Sequence, residues 1–541
     1  MWVLSKTFFR ARAWNVLSVL LMLICLGFVL ITFRDYGIGW DEGLQYKYGD
    51  YAIQWYVSGF TNQQALHFFN LMYYGAFFEM VAQAATYISP FGLFETRHLV
   101  TALFGLLGLL GAMKAGRALK GPAGGFFAAL FLALSPFYWG NSFFNSKDIP
   151  FAALSVISLY YIVRWISELP RPTFSTGAKL ALATGLTMAV RIGGILLVGY
   201  AALGVCVWLF SWCIRPGKDK KSFSDFLSLC AHIGLSGILI FVGAWAVMTI
   251  FWPYAQIDPI GNPFRSLQVM SSFPPPYPTL LFDRQLVPLL NLPKSYVPRL
   301  LLISLPEFML LAAIVSIPTG IVNFFKLVKT RQLDTLAIVC ILLVFAVMLP
   351  AVMVATHLLR VYDGLRHLLY IYPLMAVFAS ISVVAFVEHA FPIWIKGAFL
   401  ALISVSLIST TADCIQLHPY ESLYYNRTIG GGLQTIVHTD DTDYWGISLK
   451  EAAEWLVQNY PKPANGEKVK VAGCGGDYSI SYFLPADQFE YVGGPDTATE
   501  KHADIILGIL RMGCYRAGGG TVIHVIARQN APLVYIKALA K

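Results

Sequence analysis

This chain of 541 residues is short of charge. Asp, Glu, Lys and Arg together make 13% of it, against 57% apolar residues, where soluble domains carry about 25% charged residues. That balance excludes an ordinary soluble globular protein. Cysteine is scarce as well. Six of the eight cysteines lie in or beside apolar runs without metal-ligand spacing and read as core residues. Only Cys474 and Cys514 fall in a polar tail, where a disulfide and two free thiols are both open. No His-Glu-x-x-His signature is present, so no zinc site of that type is indicated. No small-residue cleavage site follows the basic start and apolar stretch of residues 1–33. That segment therefore reads as a retained first span and not as a removed signal.

Long apolar runs are what the chain has in plenty. Stretches of about 18 residues or more, enough to cross a hydrocarbon core, recur from Val16 to near residue 410, and the mean hydropathy is +0.61. The net charge of +9 does not point to nucleic acid, because the basic residues are parcelled into short loops between these runs. Lys6, Arg10 and Arg12 form one cluster, and Lys114, Arg117 and Lys120 a second. Arg164, Arg171 and Lys179 follow, then Arg215, Lys218, Lys220 and Lys221, then Lys326, Lys329 and Arg331. By the positive-inside rule all face the cytoplasm. The segment from Lys179 to Arg215 is basic at both ends and so holds an even number of crossings. It reads as a hairpin whose turn near Arg191-Ile192-Gly193-Gly194 puts Arg191 on the outer face.

These patterns predict a polytopic α-helical membrane protein with eleven spans, near 14–33, 97–114, 122–139, 150–167, 177–191, 194–213, 227–251, 300–325, 335–355, 367–388 and 394–411. The N-terminus is inside and the tail outside. A membrane unit of residues 1–411, with outer loops at 34–96, 140–149, 252–299 and 356–366, precedes a tail of residues 412–541.

The outer segments hold the chemistry. Asp41 and Glu42 stand side by side shortly after the first span, ahead of Leu44, Tyr48, Tyr51 and Trp55, which recur at helical spacing as one stripe of an interfacial helix. An N-cap is the alternative role for Asp41. Glu79 lies inside an apolar stretch, where a free charge at mid-bilayer would cost about 2.5–3.5 kcal/mol, so it faces a polar cavity or stays at the interface. The next outer loop ends in Asn145-Ser146-Lys147-Asp148, where Asp148 either decorates a helix start or acts with the first acid. The long loop from Trp252 to Arg299, with its Phe273-Pro-Pro-Pro-Tyr277 stretch, reads as a lid or substrate-contacting segment. Arg360, Tyr362, Arg366 and His367 stand before a late span. Cations at an outer boundary break the inside bias; a phosphate ligand explains them, as does snorkelling to lipid headgroups.

The Asp41-Glu42 pair after the first span, Arg97 opening the second, Asn145-x-Lys147-Asp148 after the third and Arg366-His367 entering a late span together resemble the GT-C membrane glycosyltransferases. The likeness is to bacterial relatives of the protein O-mannosyltransferases (glycosyltransferase family 39) and of the lipid A aminoarabinose transferase, over roughly residues 10–410. The resemblance implies the GT-C fold and transfer of a monosaccharide, with inversion, from a polyprenyl-phosphate donor to a hydroxyl of lipid A or lipopolysaccharide, another glycan, or a protein. It implies Asp41 as general base with Glu42 in support, Asp148 as second acid, and Lys147, Arg366 and His367 at the donor phosphate. Arg191 and Arg360 are further candidates for binding the donor phosphate on that face, and Arg97, Glu79 and Tyr362 further site candidates. The family has metal-dependent and metal-independent members, so a divalent metal stays open. The implied location is a bacterial inner membrane with the active site towards the periplasm.

The tail reads as a small α/β domain. Ser448-Leu-Lys-Glu451 has the pattern of a capping box for a helix over 452–459, and 468–472, 503–509, 521–527 and 533–537 read as strands. Gly473-Cys474-Gly475-Gly476 lacks the rest of a nucleotide-binding signature. Tyr420, Glu421, Asp443 and Trp445 are either the seam onto the membrane unit or acceptor-binding residues. The competing functions are a polyprenyl-lipid flippase or transporter, which would place ionisable groups at mid-bilayer and show inverted repeats, and a noncatalytic component of envelope polysaccharide assembly.

Overall fold

The computed structural model describes residues 2–214, 222–274, 277–330, 333–461, 466–494 and 502–539. The cluster Arg215, Lys218, Lys220 and Lys221, as well as Arg331, Pro275 and Pro276, lies outside the described residues, as do the side chains of Lys6, Arg10, Lys326 and Lys329.

Among the described residues, eight helices are long and apolar enough to cross a membrane, and a bent pair makes a ninth candidate. The eleven expected spans map onto these and two further pieces. The helix Leu93–Ala133 is bent at Lys120 and Gly121, whose φ of 67° suits glycine, with Pro122 restarting the helix. Its halves pack so closely that a Cβ on Gly116 would lie 2.4 Å from the Gly124 carbonyl oxygen. They are the expected spans 97–114 and 122–139, although the second stops at Ala133 and Pro136 opens a separate helix, Pro136–Phe144. The other piece is Phe174–Met188, only 15 residues long. The expected span 300–325 is broken. Tyr296–Ser304 and Glu307–Ile317 meet at 113°, because Leu305 precedes Pro306 and takes the extended conformation. The carbonyls freed by the break are met by Asn426, whose Nδ2 donates to Leu302 O at 2.6 Å and Leu305 O at 2.9 Å.

Asp148–Ser167 and Ile371–Glu388 are the central helices, with 78% and 72% of their apolar windows buried, and Leu93–Ala133 packs against both. Ala11–Thr32 and Phe223–Ile250 are peripheral at 17%. The latter leaves Leu227, Leu235, Ile238, Leu239 and Val242 exposed. Such a surface has no role in water and suits hydrocarbon.

The last membrane helix, Ile393–Leu417, runs past the expected boundary at 411, and its Asp413 pairs with Arg427. Beyond it, a five-stranded mixed sheet has the order Phe489–Gly493, Val469–Gly473, Ile505–Ile509, Ala531–Ala538, Thr521–Arg528. The four expected strands are present; Phe489–Gly493 is additional. The helix Leu449–Asn459 is present, but the capping box is not. Ser448 Oγ donates to Asp443, and Glu451 receives Arg528 Nη2 at 2.7 Å. Cys474 and Cys514 are joined in a disulfide. The long loop folds into the helices Pro253–Ile257 and Gly261–Ser271 and a hairpin pairing Thr279–Phe282 with Gln285–Pro288. Arg284 N donates to Thr439 O at 2.8 Å and Arg299 Nη1 to Asp440 Oδ1 at 2.6 Å, which fixes the hairpin to the seam.

Candidate active site

Four helix ends supply the site. Asp41 precedes Glu42–Val57, Lys147 precedes Asp148–Ser167, Arg191 follows Phe174–Met188, and Arg366 lies before Ile371–Glu388. Asp41 occupies the N-cap position without using it: its side chain makes no capping bond. Its Oδ2 instead lies 3.2 Å from Lys147 Nζ and 3.6 Å from Arg366 Nη1, with the side chain 30% exposed. Burial alone would raise the Asp41 carboxyl, but Lys147, then Arg366 and Arg191, outweigh it and hold the group down at about 2.

The cations are themselves positioned. Arg191 Nη2 meets Asp148 Oδ1 at 2.7 Å, and Asp148 Oδ2 accepts from Asn145 Nδ2 at 2.9 Å. Asp148 is therefore committed to orienting Arg191, which the turn after Phe174–Met188 brings beside Asp41 and Lys147. Arg366 Nη2 meets Asp363 Oδ2 at 3.2 Å, and the guanidinium lies 4.7 Å from the Tyr362 ring and 4.8 Å from that of Trp445. Lys147 Nζ lies 5.0 Å from the Tyr74 ring, and with the Gln45 amide oriented to suit its neighbours, Gln45 Oε1 accepts from Lys147. Burial, with Arg366, Arg191 and Lys147 nearby, pushes His367 well below the usual histidine range. Its Nδ1 faces the Tyr362 N–H at 3.5 Å. The lowered value favours the neutral ring over the cation expected of it, and with Nδ1 towards the Tyr362 N–H the proton of a neutral ring belongs on Nε2.

Other expected site residues stand further back. Glu42 is buried; its Oε1 accepts from the Gly39 N–H at 2.7 Å and its Oε2 meets His98 Nε2 at 3.1 Å, so it shapes the turn that presents Asp41. Glu79 and Arg97 form a buried ion pair behind Gln45. Burial pushes the Glu79 carboxyl up against the pull of Arg97. Among the described residues Arg97 Nε and Nη1 have no hydrogen-bond partner, so its charge rests on Glu79. Glu79→Gln is expected to destabilise the protein by about 3–5 kcal/mol, read as a lower unfolding temperature in detergent; an unchanged midpoint would contradict the pairing.

Arg360 does not join. It is exposed and bonded to Ser272 O at 2.8 Å. Three of the four expected acceptor residues face away: Tyr420 donates to Glu451, Glu421 meets Tyr36 and His418, and Asp443 accepts from the N–H groups of Ile447 and Ser448. Trp445 alone is at the site. Sequence reading missed Gln45, Tyr74, His98 and Arg511. Arg511 comes from the C-terminal domain, and its Nη2 meets Asp363 Oδ1 at 2.7 Å. Among the described residues, no three His, Cys, Asp or Glu side chains converge as a metal ion would require.

No protein-family model and no curated protein matches the chain. Among solved structures, the archaeal oligosaccharyltransferase AglB from Archaeoglobus fulgidus, in complex with an inhibitory peptide and a dolichol-phosphate, aligns at a TM-score of 0.52. The identity is 12%, over 92% of this chain and 69% of that one. ArnT from Cupriavidus metallidurans bound to undecaprenyl phosphate aligns at 0.49 and 13% identity, over 96% of this chain and 97% of that one. The likeness to AglB is one of fold. The chain is a multi-pass helical membrane protein with the GT-C fold and a C-terminal domain.

Proposed function

We propose that this chain, with its GT-C fold, is a membrane glycosyltransferase that moves a monosaccharide from a polyprenyl-phosphate donor to an acceptor hydroxyl, on the periplasmic side of a bacterial inner membrane. The observation that carries this reading is a single partly exposed carboxylate, Asp41, facing Lys147 and Arg366 directly and Arg191 beside them. Attack by a hydroxyl needs a proton acceptor on one side of the anomeric carbon, and a departing phosphate needs cations on the other. The acceptor oxygen bonds to the anomeric carbon with inversion, its proton passes to Asp41, and the bond to the phosphate oxygen breaks, releasing polyprenyl phosphate. His367 Nε2–H and Trp445 Nε1, which has no partner among the described residues, are neutral donors for sugar or phosphate oxygens. A dolichol-phosphate accompanies AglB, and a lipid phosphate is what these cations suit. An apolar cavity of about 470 Å³ between the helices, lined by residues such as Trp165, Leu197, Ile233 and Phe241, is suited to an isoprenoid chain.

In the free protein Asp41 is held by the very cations a donor phosphate would take. Bound phosphate shares them, weakens their pull and moves the carboxyl back up to where it accepts a proton. Both groups next to the reacting atoms have lowered values: Asp41 is ionised and His367 neutral throughout the physiological range. We expect kcat/KM, which reports the free enzyme, to be flat from about pH 6.5 to 8.5; a step in that window would count against the assignment. The function itself is tested by offering a panel of polyprenyl-phosphate sugars to the protein in nanodiscs. Release of polyprenyl phosphate from one of them is expected, and no turnover of any would remove the reading.

A further inference from the structure

We propose that Arg511 of the C-terminal domain is a positioning residue for Arg366, so that donor binding requires this domain to be seated on the helix bundle. The inference rests on the reading of the site given above.

Arg511 is buried at the start of a turn that follows the strand Ile505–Ile509. Its guanidinium spans two partners, Asp363 Oδ1 at 2.7 Å and Tyr444 O at 2.5 Å. The other oxygen of Asp363 meets Arg366 Nη2 at 3.2 Å, and Arg366 Nη1 faces Asp41. One carboxylate is thus divided between two arginines, and the chain Arg511, Asp363, Arg366, Asp41 runs from the C-terminal domain to the reacting position. Asp363 also accepts from Tyr277 of the long loop, and it sits at φ 57°, a left-handed conformation that its neighbours must hold.

The turn that presents Arg511 is itself secured. Met512 and Gly513 are left-handed, at φ 55° and 68°, and Cys514 is bonded to Cys474. The loop after Cys474 sits against the segment carrying Asp41: Ser479 Oγ donates to Ile38 O at 2.8 Å, and the Tyr478 and Tyr46 hydroxyls are 3.2 Å apart. The Arg511 guanidinium lies 5.6 Å from the ring of Trp40, the neighbour of Asp41. Two loops linked by the disulfide therefore hold the Asp41 turn from one side and Asp363 from the other.

Without Arg511 the full charge of Asp363 falls on Arg366 and draws its guanidinium away from a donor phosphate. In the full-length protein in nanodiscs, Arg511→Gln is expected to raise both the KM for a polyprenyl-phosphate sugar and the Kd for polyprenyl phosphate alone by about 10-fold, with kcat within about 3-fold. Arg511→Lys restores part of the affinity. Because Arg511 acts through Asp363, the effects of Arg511→Gln and Asp363→Asn on affinity are not additive. Unchanged affinity in Arg511→Gln, with wild type binding and turning over, overturns the inference and leaves the site reading intact. A loss of kcat and thermal stability together, without rescue by lysine, also overturns it by showing a merely structural role. Wild type that neither binds nor transfers removes the site reading, and this inference with it.

Discussion

Arg366→Ala is expected to weaken binding of polyprenyl phosphate by about 100-fold, the ~3 kcal/mol typical of truncating one member of a buried charge pair. Arg366 is the cation with the most fixed geometry. Asp363 orients one end of its fork, Tyr362 and Trp445 flank its plane, and its other end points at Asp41. Lysine has neither the fork nor the flat face, so Arg366→Lys recovers only a fraction of the affinity. Asp363 keeps Arg511 in either variant, which limits damage to the fold. The check is a titration of polyprenyl phosphate against wild type and the two variants. Equal dissociation constants would take Arg366 out of the phosphate site.

Asp41→Asn is expected to cut the transfer rate by about 10²–10⁴-fold, the usual worth of a general base, while donor binding holds or tightens. Asparagine keeps the shape and can still accept from Lys147, but it cannot take a proton. Removing the carboxylate also frees Lys147, Arg366 and Arg191 from a competitor for the phosphate. The same charge bears on stability. The folded value of about 2 lies below the ordinary 3.8, so Asp41 stabilises the folded protein above pH 3.8 and the contribution is lost as pH falls through about 2. The group is partly exposed, so the effect on unfolding is small beside the effect on rate. A variant with an unchanged rate would end its role as base; one with both rate and binding lost would make it a structural counter-ion.

Sidedness made much of the site legible. Lys147 and Arg366 stand at span ends where the inside bias disfavours cations, and the basic flanks of the segment from Lys179 to Arg215 point Arg191 to the same face. The stripe Leu44, Tyr48, Tyr51 and Trp55 gave the helix Glu42–Val57 that follows Asp41. Arg360 satisfied the same criteria and was misplaced. The chain turns at Asp363 and Gly364, both left-handed, and nothing in the spacing tells which arginine then points inward. Arg511 left no local signal at all, since its partner Asp363 is 148 residues away. The break at Pro306 was hidden by apolar residues continuing on both sides of it. The capping box failed for a related reason: Ser448 and Glu451 have the right spacing, but Ser448 bonds the nearby Asp443, and tertiary packing brings Arg528 to Glu451. Long-range pairs of this kind are what a reading of local pattern cannot supply.

The most direct test follows labelled sugar from a polyprenyl-phosphate donor in parallel reactions of purified wild type and Asp41→Asn, with donor binding measured on the same samples. Label reaching acceptor or water only with wild type, while both proteins bind donor, is the expected result. Saturable donor binding with no transfer by either protein would contradict the proposed chemistry and favour a carrier of lipid-linked sugar.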